Sequence, residues 1–161
     1  MIPGVKKILY ASDIEKGSRP AFRAAVSLCG HYDAQITYLH VLENEHQDNM
    51  ALQSVLKADG MQEMYEESLN NLKSKLEGRI DKFFKEEVEE LDMLNEEQVS
   101  SIIREGKPWK VIVDVADEID ADVIVMGTRP HTGLGHALMG STATKVMNHS
   151  KRPVLIVPLK K

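Results

Sequence analysis

The chain has 161 residues, 42% of them hydrophobic and 28% charged, which suits one globular domain with a core of its own. Its formal net charge of −5 argues against a general nucleic-acid binder or an anionic-membrane binder, because each needs a basic face. The single cysteine, Cys29, excludes an internal disulfide and is expected to be a small buried side chain in a reducing, cytoplasmic setting. The opening residues MIPGVKKILYAS lack the apolar segment of a secretion signal. No apolar run approaches the roughly 20 residues of a membrane-spanning helix.

Lys7–Ala11 (KILYA) is a short apolar run ending in small residues and predicts a first, buried strand. Ser18 is placed to cap a helix, and Pro20 falls in its first turn, where a missing N–H costs least. The helix runs through Ala21–Leu28 and is expected to stop near Gly30. Gln35–Leu42 (QITYLHVL) is β-branched and apolar and predicts the second strand. Residues 43–58 are polar and show no assignable pattern. Met61, Tyr65, Leu69, Leu72, Leu76, Ile80 and Phe83 recur at steps of three or four, predicting a long helix with one buried face. The acidic run Lys85–Glu97 is expected to be a solvated helix end and connector.

Val99–Arg104 predicts a third strand, followed by a turn at Glu105–Pro108 and a helix over Trp109–Ile119. Asp122–Met126 (DVIVM) predicts a centre strand covered on both faces. A short helix from Ser141 to about Asn148 and a last strand at Pro153–Val157 complete the chain. Alternation of this kind implies one α/β domain: an open parallel sheet of five strands with helices on both faces and right-handed crossovers.

Such sheets bind ligands beyond the carboxyl ends of their strands, where strand order reverses. The first and fourth strands are the expected neighbours there. Their ends, Ala11-Ser12-Asp13 and Met126-Gly127-Thr128, are small enough to admit a ring and close backbone approach. In the following loop, Gly140, Ser141 and Thr142 open a helix whose N–H groups and dipole favour an anion. The two hydroxyls and the forked guanidinium of Arg129 add donors; helix capping alone would also explain the Ser/Thr pair.

Two phosphate motifs nearly match and fail. Gly135-x4-Gly140-Ser141-Thr142 has P-loop spacing but carries Ser141 where the lysine belongs. Gly133-Leu-Gly135 opens a dinucleotide fingerprint, but Leu138 stands at its third glycine. His131 and His136 lie five apart, which is not the spacing of a helical metal pair, so no metal ligand is assigned. His40 is expected to be a satisfied strand histidine. Ser141 beside His131 or His136 is conceivable as a nucleophile and base, yet the helix-start role accounts for Ser141 without chemistry. With no paired carboxylates, no catalytic residue is assigned.

The pieces KKILYASD, ITYLHVLE, REGKPWKVIVDVADEIDADVIVMGTR and MGSTATKVMNHSKRPVLIVP together resemble the universal stress protein family over essentially the whole chain. The resemblance implies strand order 3-2-1-4-5 in an adenine nucleotide alpha hydrolase-like fold, and a homodimer paired through the last strand. An apolar edge there is an aggregation liability unless paired. The nucleotide-binding branch carries Gly-x2-Gly-x9-Gly-Ser/Thr. Gly127 and Gly140-Ser141 match it, and Pro130 stands at the middle glycine. Proline has no N–H and a fixed φ, so one amide donor is lost; Gly133 and Gly135 keep the loop pliable.

By the same resemblance, adenine would lie near Ala11, Ser12, Asp13 and the backbone of Val41. Ribose and phosphates would follow the end of the fourth strand at Met126, then Gly127, Thr128, Arg129 and Pro130, and Gly140, Ser141 and Thr142. Asp13 would contact adenine or Mg²⁺ rather than act as a base. The implied function is a cytoplasmic stress-response module that binds ATP or AMP, alone or with Mg²⁺, and signals to a protein partner. A dimeric interaction protein of the same fold without nucleotide, and a slow ATP hydrolase, are the alternatives.

Overall fold

Consecutive strand residues face opposite sides of a sheet, yet Ile8, Leu9 and Tyr10 are all fully buried. The strand they form, β1 (Lys7–Ser12), is therefore covered on both faces. The computed structural model describes residues 4–12, 18–43, 50–91, 95–129 and 139–159. After β1 come α1 (Arg19–Tyr32), β2 (Gln35–Glu43), α2 (Met50–Ala58), α3 (Gln62–Leu91), β3 (Val99–Gly106) and α4 (Pro108–Glu118). The chain then continues through β4 (Val123–Thr128), α5 (Ser141–His149) and β5 (Val154–Pro158). The five strands form one sheet in the order β3-β2-β1-β4-β5, and every pairing is parallel. The order is the expected one, with β1 and β4 adjacent.

The core has two halves, one on each face. On one, Tyr10, Phe22 and Tyr38 meet Phe83 and Phe84 of α3, with ring centroids 5.0–5.4 Å apart for the pairs Tyr10–Phe22, Phe22–Phe83 and Tyr38–Phe84. On the other, Leu9, Leu39 and Ile124 pack against Ile112 and Val115 of α4 and Val146 of α5.

Several boundaries differ from the sequence pattern, each for a physical reason. The first helix passes through Gly30 to Tyr32. It is ended by Asp33 in the left-handed conformation (φ 51°), whose N–H donates to the Cys29 carbonyl. Ser18 precedes the helix but makes no side-chain cap; its carbonyl instead accepts from the Ala21 and Phe22 N–H groups and from the Tyr10 hydroxyl. The unassigned region contains α2; residues 44–49 lie outside the described residues.

The long helix α3 is buried on one face only in its second half. Leu76 and Ile80 are buried, whereas Met61, Met64 and Leu72 remain exposed. The acidic run that begins in its last turns is not wholly solvated. Glu87 is fully buried, 3.2 Å from both Arg19 and Arg23, which sit one turn apart on α1. Asp122 stands just before β4 rather than in it. Its carboxylate accepts from the backbone N–H groups of Lys6 (2.7 Å) and Lys7 (2.9 Å). These two bonds, the Lys6 one foremost, hold its pKa below the ordinary carboxylate value.

Candidate functional site

The sheet order reverses between β1 and β4, and a cleft of about 620 Å³ opens there beyond the strand ends. Ala11 and Ser12 supply one wall, His40 and Val41 at the end of β2 a second, and Met126, Gly127, Thr128 and Arg129 the floor and rim. Gly140, Ser141 and Thr142 close the far side. These ten sites from Ala11 to Thr142, His40 apart, are the described members of the set singled out in the sequence. Asp13 and Pro130 lie outside the described residues, as do Gly133, Gly135, His131, His136 and Leu138.

Local bonding gives each glycine a distinct role. A Cβ on Gly127 would run into the side chain of Leu159, which is buried over it. The Leu159 N–H donates to the Thr128 carbonyl at 2.8 Å, which carries the parallel β4–β5 pairing one rung past Pro158. Gly127 thus has a packing role apart from any ligand. Gly140 is the residue before α5, with φ −54° and ψ 152°. Its N–H donates to the Thr128 hydroxyl at 2.9 Å. Of the N–H groups expected to face an anion, Gly140's is therefore engaged. The open donors are those of the first helical turn, at Ser141 and Thr142, which have no partner inside a helix. Gly140, not a Ser or Thr, occupies the cap position and makes no side-chain cap bond, so capping does not account for the Ser/Thr pair.

His40 is a lining residue that the strand pattern did not single out. Its Nδ1 lies 2.9 Å from the Ser12 carbonyl. A carbonyl only accepts, so the neutral ring carries its proton on Nδ1 and leaves Nε2 as an acceptor. Glu43, Pro108, Ile112 and Leu159 also border the cleft. Nothing local in the sequence marks them, because turns distant along the chain bring them there.

Away from the cleft, Cys29 is buried and its thiol lies 2.8 Å from the Ala34 carbonyl. Burial pushes its pKa up, which makes it inert packing. Among the described residues no group of three or more His, Cys, Asp or Glu could hold a metal ion, and no helix is long and apolar enough to cross a membrane.

An open five-stranded parallel α/β domain with its cleft at the strand-order reversal is the class that this fold and site define. The chain belongs to the universal stress protein family, whose family model matches residues 4–158. It is 31% identical over 159 residues to universal stress protein MJ0577 of Methanocaldococcus jannaschii, covering 96% of each chain. It is likewise 31% identical over 163 residues to the stress response protein NhaX of Bacillus subtilis, covering 94% of this chain and 96% of the relative. Among solved structures, that of MJ0577 superposes with a TM-score of 0.75 at 26% identity over 99% of each chain. A universal stress protein solved in complex with cAMP shares the fold, with a TM-score of 0.57 at 17% identity over 98% of this chain and 100% of that one.

Proposed function

We propose that the chain is a stress-response regulatory module that holds an adenine nucleotide, ATP or AMP, in the cleft between β1 and β4. One observation carries the reading. A cleft of about 620 Å³ at the strand-order reversal is bordered by the first turn of α5 and by Arg129. The base would lie against Ala11, Ser12, Val41 and His40, with Asp13 next along the chain. The ribose would follow Met126 to Pro130. A phosphate would meet the Ser141 and Thr142 N–H groups, at the positive end of the helix dipole. The cAMP held by a protein of the same fold supports a nucleotide of this kind. The module would act in the cytoplasm as a homodimer paired through β5, an edge strand whose Leu155 is exposed, and would pass its state to a protein partner.

The test is direct. Purified protein is denatured and the supernatant examined for adenine nucleotide by absorbance and mass, and melting is followed with millimolar ATP or AMP. Ligand at about 100 times its dissociation constant adds about 2.7 kcal/mol, a rise of roughly 5–10 °C for a domain of this size. No released nucleotide together with an unmoved Tm sinks the proposal. Pro130 favours a second reading, a dimeric interaction protein of the same fold with no nucleotide, since proline removes an amide donor from the loop. That protein would remain dimeric by light scattering while failing both nucleotide assays.

A further inference from the structure

A second recess of about 230 Å³ adjoins the main cleft and is lined by Lys107, Trp109 and Lys145 together with Gly106 and Glu43. Glu43, Pro108, Ser141 and Thr142 border both cavities, so the two meet at the start of α5. The recess is smaller than the cavities that enclose drug-sized ligands, which leaves no room for a second nucleoside.

Its charge is arranged for an anion. Two lysines line it against the one carboxylate of Glu43. The first turns of both α4 and α5 border it, each bringing the positive end of a helix dipole. Gly106 makes this arrangement possible. Its φ of 138° is open to few L side chains, and it turns the chain from β3 into α4 so that Lys107 stands immediately before the helix.

We infer that this recess is the subsite for phosphates beyond the first, and that Lys107 and Lys145 make the site prefer a nucleoside di- or triphosphate to a monophosphate. The subsite rests on the nucleotide reading above. A phosphate held at Ser141 and Thr142 lies on the shared border, and a longer phosphate chain continues into the recess. The two exposed lysines facing the added phosphates together supply a preference of about tenfold. Raised salt weakens it.

Trp109 provides the readout. It is the single tryptophan of the chain, it lines the recess, and its ring lies 4.5 Å from the His149 ring. Titrations with AMP, ADP and ATP are followed by Trp109 fluorescence and by calorimetry on the full chain. The expected result is ATP binding about tenfold more tightly than AMP, with the larger change in Trp109 emission. Lys107→Ala with Lys145→Ala, or both as Gln, then brings ATP to within about twofold of AMP. Both lysines are exposed, so the variants should fold, which circular dichroism checks. Equal affinity for ATP and AMP in the native chain, or a preference that survives both double variants, overturns the subsite while leaving the nucleotide reading standing. Failure of every nucleotide to bind removes both.

Discussion

At Gly127 an added methyl group would force the Leu159 side chain to move. Gly127→Ala should cost about 1–3 kcal/mol in urea unfolding, the usual penalty for overpacking a filled site. In a Leu159→Ala background the same substitution should cost much less, since its obstacle is gone. Strictly additive losses would show that the two positions do not share that space. The sequence marks Gly127 as the opening glycine of a family motif but gives no hint of Leu159. A contact made across the β4–β5 pairing leaves no local pattern. Gly140 is similar. Its place at a helix start is legible, whereas the Thr128 hydroxyl that takes its N–H is not. His40 went unremarked as a cleft residue because a strand pattern reports which face a residue takes, not what lies beyond the strand's end.

Among the elements, α3 shows best what periodicity can and cannot deliver. The three-four spacing from Met61 to Phe83 predicts one stripe, and the helix has it. Which part of the stripe is covered depends on where α1 and the sheet lie, and only Leu76 onward is buried. Ile80→Ala, at a fully buried position, should therefore cost about 2–4 kcal/mol. Leu72→Ala, at a residue 45% exposed, should cost less than about 1 kcal/mol. Equal losses in denaturant unfolding would mean that the first half of α3 is covered after all. Glu87 carries the stripe one step further in the chain's most acidic stretch. The step from Ile80 through Phe83 to Glu87 was a signal that composition masked. Burial of that carboxylate is tolerable because Arg19 and Arg23 both reach it.

Across the whole molecule, strand order was legible because alternating strands and helices leave few allowed parallel topologies. The tie between distant ends of the sheet was not. Asp122, expected to be a strand residue, instead fastens the approach to β4 onto the Lys6 and Lys7 amides ahead of β1. Those bonds lower its pKa in the folded state, the Lys6 N–H contributing most. The stabilisation is therefore complete above the unfolded value of about 3.9 and is lost as pH falls through the lower folded value. Asp122→Ala should cost about 1–2 kcal/mol at pH 7, the worth of hydrogen bonds to a charged group. The gap between native chain and variant should close as the pH drops below about 4 in acid unfolding. A gap that stays constant down to pH 2 would assign Asp122 no such role.

The bond from the Gly140 amide to the Thr128 hydroxyl carries an evolutionary consequence. It joins the end of β4 to the cap of α5 at 2.9 Å, so both ends of the intervening segment hang from rigid elements. Closing a loop costs only about 0.6 kcal/mol more for each doubling of its length. A change in the length of the connection between β4 and α5 therefore costs the sheet and helices little. In this architecture ligand choice can diverge between relatives faster than the fold that identifies them as kin.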